Sequence, residues 1–135
     1  MIELIHPFES PSGNAFHKRH WSVYAKWKKQ CVQWAVLAAR GNGIDGARGK
    51  RHVRFIVYRK RMIDDDNMIQ GVKALRDALV EVGLLINDSP KWATFQYDQR
   101  PAKTSKIGTP HTTIIITDIA TIDLKPQTLP MRAKR

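Results

Sequence analysis

Three consecutive aspartates, Asp64-Asp65-Asp66, stand in a chain that is otherwise strongly cationic. With Ile63 to Asp66 extended, alternation puts Asp64 and Asp66 on one face, roughly 6–7 Å apart, and Asp65 on the other. Two carboxylates at that spacing repel each other but suit a hard divalent cation. Mg²⁺ takes oxygen donors and keeps several of its waters, so few protein carboxylates are needed. An ion held there lowers the pKa of its water and polarises a phosphoryl oxygen, which is the chemistry of phosphodiester hydrolysis. The competing reading is local: Asp66 caps a following helix, and Asp64 and Asp65 are solvated charges favoured by the helix dipole.

The surrounding charge narrows the partner. Twenty-three Lys and Arg against twelve Asp and Glu give +11 over 135 residues. A surface so charged repels itself unless a polyanion neutralises it, and nucleic acid is the usual one. Lys18-Arg19, Arg59-Lys60-Arg61 and the pair Lys103 and Lys106 are the clusters expected to meet phosphates. The 42% apolar content is that of a folded protein, and the length suits one domain with one core. We expect that domain over residues 1–124, followed by a basic arm over 125–135. No apolar run approaches the ~20 residues of a membrane span, and no signal peptide is evident. The single Cys31 cannot form an internal disulfide, so a reducing, cytoplasmic setting is expected.

The elements that must position the aspartates follow from periodicity. Ile2 to Ile5 reads as a first strand ended by Pro7. Tyr24, Trp27, Cys31, Trp34 and Ala38 recur at steps of three and four, predicting a helix from Trp21 to Arg40 that Gly41-Asn42-Gly43 stops. Val53, Phe55 and Val57 alternate within a strand from His52 to Tyr58. A second helix is predicted from Asn67 to Val82, with Met68, Val72, Leu75, Leu79 and Val82 as its stripe and Gly83 as its C-cap. Trp92 to Arg100 and Thr112 to Thr117 are two further strands, joined by a basic hairpin loop from Pro101 to Pro110. The order β-α-β-α-β-β predicts an α+β domain, a small mixed sheet of about four strands with two packed helices. Cys31 and the tryptophans are expected in the packing, with base stacking the alternative for Trp21 and Trp92. His17 and His20 have the spacing of a metal pair, but nothing else completes a zinc set, so a DNA-facing or structural role is expected.

The segment Arg61-Met62-Ile63-Asp64-Asp65-Asp66-Asn67-Met68, continuing through Lys73-Ala74-Leu75-Arg76-Asp77-Ala78-Leu79 to Gly83 and Asn87-Asp88, resembles the signature of RusA-type Holliday junction resolvases. Upstream, Pro11-Ser12-Gly13-Asn14 and the basic Lys18-Arg19-His20 resemble that family's N-terminal segment. The likeness runs over about residues 7 to 117, and its specific part over 59 to 88. It implies a homodimeric, Mg²⁺-dependent endodeoxyribonuclease, with Mn²⁺ as a substitute ion, that cuts four-way DNA junctions symmetrically. It further implies Asp64, Asp66 and Asp88 as metal ligands and Lys73 as the catalytic lysine. On the DNA we expect Asn14, Lys18, Arg19, Arg59, Arg61, Lys103 and Lys106. Relatives commonly occur in phages and prophages. Two departures stand out. Gln70 occupies the family's lysine position, so that Lys73 lies three residues late, and the closing acidic pair is reduced to Asp88.

Asp88 also raises a question of reach. A helix of ~16 residues is about 24 Å long, whereas the five residues after Gly83 span at most ~18 Å. Either the helix is shorter or kinked, with Gly71 as a break, or a partner subunit supplies Asp88. Two rivals use the same residues: a non-catalytic DNA-binding module whose aspartates only cap a helix, and a Mg²⁺-dependent nuclease acting on other branched DNA or RNA.

Overall fold

The computed structural model describes residues 1–13 and 21–119. Asn14, His17, Lys18, Arg19 and His20, the expected boundary at 124 and the basic arm lie outside these residues. Among the described ones the elements are β1 (Ile2–His6), α1 (Trp21–Gly41), β2 (Arg51–Arg59), α2 (Asp65–Glu81), β3 (Ala93–Pro101) and β4 (His111–Asp118), with a short 3₁₀ turn at Ala102–Thr104. This is the expected β-α-β-α-β-β order, and the sheet is mixed. Its strand order is β1-β4-β2-β3, with β2 and β3 parallel and the other two pairs antiparallel.

Alternation decides which face each strand buries. Val53, Phe55 and Val57 on β2, Ile114 and Ile116 on β4 and Leu4 on β1 are all buried in the core. Phe55 stacks on Tyr97 of β3 at 5.4 Å between centroids. Against this row α2 lays Met68, Val72, Leu75, Ala78 and Leu79, and α1 lays Cys31 and Ala35. Tyr24, Trp27 and Trp34 pack half-buried on the same core. The aromatic stripe of α1 is therefore turned inward. Trp21, by contrast, is 73% exposed. The Tyr24 hydroxyl donates to Asp77 at 3.1 Å and ties α1 to α2. Burial, with the Asp77 carboxylate beside it, raises the Tyr24 pKa. Burial alone pushes the Cys31 thiol up to about 12, an unreactive core cysteine.

Two local expectations change. Residues 101–110 do not close a hairpin, because β3 and β4 flank β2 on opposite sides and never pair. They form an arch across the end of β2. Nor does Gly71 break α2, which runs unbroken for 17 residues. The glycine is needed for close approach: a Cβ there would collide with the carbonyl oxygen of Pro11. Gly83, at φ +85°, takes the left-handed position expected after the helix.

Candidate functional site

Register gathers four segments at one end of the sheet. His6 at the end of β1 lies opposite Thr112, His111 at the start of β4 opposite Tyr58, and Arg59 at the end of β2 opposite Pro101. The loop after β1, the connection from β2 to α2 and the arch from β3 to β4 therefore meet there, together with the N-terminus of α2. Pro11-Ser12-Gly13 lies across the first turns of that helix. Gly13 N donates to Asn67 O at 2.9 Å, and a Cβ on Gly13 would run into Gln70 and Asn67. Two stretches more than fifty residues apart, both part of the resemblance, are thus brought into contact.

The helix begins at Asp65, two residues before the expected start, so the four residues 63–66 are not all extended. Asp64 is the N-cap residue, with φ −58° and ψ 144°, and its side chain makes no capping hydrogen bond. The helix start is closed by main chain instead, with Met68 N on Asp64 O at 2.9 Å. Asp65 and Asp66 fill the first turn, about 100° apart around the axis. All three aspartates are exposed. The cap position thus belongs to Asp64 and not to Asp66, and its carboxylate stays available. The donor set fits a hard ion: exposed carboxylate oxygens with no cationic partner in the ion pairs of the described residues, Arg51–Asp118 and Arg54–Asp98.

Asp88 is elsewhere. Arg51 at the start of β2 lies opposite Ala93, donates to Leu84 O at 2.8 Å, and pairs with Asp118. The segment after α2 is therefore anchored at the far end of the sheet. There Ser89 N bonds to Asn87 Oδ1 at 2.9 Å, a turn that leaves Asp88 exposed. The nine residues of β2 separate the two ends, roughly 26 Å at strand rise. In agreement, no group of three or more His, Cys, Asp or Glu among the described residues is placed to hold a metal ion. One chain brings Asp64 and Asp66 to one end and carries Asp88 to the other, since an unbroken helix cannot fold back on itself.

The cationic residues divide likewise. Lys60, Arg61, Lys103 and Lys106 are exposed at the acidic end, where Lys60 and Lys103 line an open cleft of about 360 Å³ with Pro101, Thr109 and Pro110. Arg59 is buried, 8% exposed, and its guanidinium donates to the carbonyls of Arg61 and Ser10. It therefore braces the loops from beneath rather than meeting a phosphate at the surface. Lys73 is exposed, seven residues and roughly 10 Å up the helix axis from Asp66. Asp77, four residues further along the same helix, forms none of the ion pairs among the described residues and accepts from Tyr24.

Sequence reasoning passed over Gln99 and Glu9. Gln99 Oε1 accepts from Ile63 N and its Nε2 donates to Ile63 O, both at 2.8 Å, while Glu9 Oε2 accepts from Lys60 N at 3.0 Å. The available signal was a lone polar residue ending the inward row Ala93, Phe95, Tyr97, Gln99. No protein-family model matches the chain, and no curated protein matches it. No helix among the described residues is long and apolar enough to cross a membrane.

Proposed function

We propose that this chain is a Mg²⁺-dependent, structure-selective endodeoxyribonuclease that resolves four-way DNA junctions as a homodimer in a cytoplasmic setting, a phage or prophage context included. The observation that carries the reading is the convergence, at one basic sheet end, of the Pro11-Ser12-Gly13 loop and the start of α2 with the exposed carboxylates of Asp64 and Asp66. Asp64 and Asp66 would hold the ion, completed by the partner subunit's Asp88. Mg²⁺ bound there supplies an acidified water and a polarised phosphoryl oxygen. Lys60, Arg61, Lys103 and Lys106 hold the phosphates on either side of the cut. Lys73 adds positive charge from further along the helix.

The test is a labelled four-way junction, duplex and single strand, each incubated with Mg²⁺ or EDTA. Cleavage is expected on the junction with Mg²⁺ only. Asp64→Asn and Asp66→Asn should each lower it by at least about a hundredfold and leave junction binding in EDTA intact, because the ligands act on the ion and not on the phosphates. Full activity of Asp66→Asn would sink the assignment. The distance of Asp88 from the other two aspartates in one chain favours a second reading, a junction-binding module without catalysis. Binding without Mg²⁺-dependent product would select it.

A further inference from the structure

The connection that ends in Asp64 is held at its main chain by side chains from other parts of the fold. Glu9, in the loop after β1, accepts from Lys60 N. Arg59, at the end of β2, donates to Arg61 O and to Ser10 O. Gln99, on β3, engages both polar groups of Ile63. Three of the four residues between β2 and Asp64 are thus fixed by a side chain aimed at the backbone.

Gln99 has the most direct access to the acidic cluster. A carboxamide carries the donor and acceptor of a peptide group, so Gln99 pairs with Ile63 as a strand would, where no strand reaches. Its orientation is set by its partners, since an N–H needs an acceptor and a carbonyl a donor. The two bonds fix the peptide planes on both sides of Ile63, and the second of these planes contains the nitrogen of Asp64. A rotation of that plane would swing the Asp64 carboxylate and, with the helix start, Asp66.

We infer that Gln99 is a positioning residue for the acidic centre, holding Asp64 and Asp66 in the arrangement that takes a divalent cation. The inference rests on the reading above, in which those carboxylates hold Mg²⁺. Outer partners of metal ligands typically contribute 10–100-fold to metal affinity or activity, which sets the size of the effect.

The test uses the full chain with Mn²⁺ as a paramagnetic probe. Gln99→Met keeps the length and loses both bonds. Gln99→Glu keeps the acceptor, loses the donor and adds a like charge. In the wild type Mn²⁺ should broaden the amide signals of Asp64 to Asn67. In both variants the Mn²⁺ needed for the same broadening should rise about tenfold or more. The Mg²⁺ for half-maximal junction cleavage should rise in parallel, with the rate at saturating Mg²⁺ and the junction affinity in EDTA close to wild type.

Folded variants with wild-type Mn²⁺ and Mg²⁺ titrations would overturn the inference, and if Gln99→Met fails to fold, Gln99→Glu decides. A wild type that binds Mn²⁺ at Asp64 to Asn67 but cuts no branched DNA would refute the nuclease reading alone, and the Mn²⁺ comparison still judges Gln99. No broadening there in the wild type would overturn both.

Discussion

His6 is a neutral base enclosed by rings. It is 1% exposed, with Phe8, Trp27 and Trp34 edge-on at 5.3, 5.4 and 4.9 Å, and its Nδ1 has no hydrogen-bond partner among the described residues. Burial lowers its pKa from 6.5 to about 4, because the cage does not stabilise an imidazolium. The unfolded chain therefore takes up this proton near pH 6.5 and the folded chain only near pH 4. Stability from this group is complete above pH 6.5 and is lost as the pH falls towards 4. Between pH 7.5 and 5 the loss should be about 2 kcal/mol. Urea denaturation of wild type and His6→Phe across that range checks it: the difference in unfolding free energy should shift by that amount, and a constant difference would refute it. The contrast with Asp64, Asp65 and Asp66 shows what single residues reveal. The aspartates are legible because their charge opposes everything around them. The cage at His6 is not, since its rings come from a loop and a helix brought together only by the fold.

Gly71 shows the same division at the level of elements. The stripe Met68, Val72, Leu75, Leu79 identifies α2 without reference to the rest of the chain, because a helix records its buried face at its own period. What passes over the helix is not recorded, so Gly71 reads as a weak point rather than as the floor under Pro11. Gly71→Ala should lower stability by about 1–3 kcal/mol from overpacking, less the roughly 1 kcal/mol that alanine returns in helix propensity. The obstructing atom is a main-chain oxygen, so the Pro11-Ser12-Gly13 loop must move and the Gly13–Asn67 bond should break with it. Gly41→Ala is the control, since nothing among the described residues lies within 4 Å of its added Cβ. Thermal melts of the two variants side by side decide the matter, and equal melting temperatures would remove the steric account. Strand pairing was illegible for a related reason. Alternation in Phe95 to Gln99 and in Thr112 to Ile116 marks two strands, but a short link between them suggests adjacency. Only the long-range insertion of β2, the most thoroughly buried strand, keeps them apart.

For the whole molecule the deciding quantity is the distance between the ends of the sheet. Asp64 and Asp66 stand where β2 ends and Asp88 where β2 begins, so no adjustment of loops in one chain unites them. A two-fold axis perpendicular to β2 reverses one protomer against the other and sets each acidic end beside the partner's far end. Because such a contact is isologous, it would complete two centres at once. This geometry makes a specific prediction for mixed proteins. Asp66→Asn and Asp88→Asn should each be inactive alone. When the two are mixed and allowed to exchange subunits, half of the centres in each heterodimer carry both substitutions. The other half combine an intact Asp64 and Asp66 with the partner's intact Asp88. Activity should therefore return, and with one working centre per dimer it should return as single nicks rather than as paired cuts across the junction. A centre built within one chain behaves in the opposite way, since every centre in the mixture would keep one lesion. Gel analysis of a junction with all four strands labelled, before and after mixing, separates the two arrangements. A mixture as inactive as its parents, with subunit exchange verified by a mass tag, would exclude the shared centre.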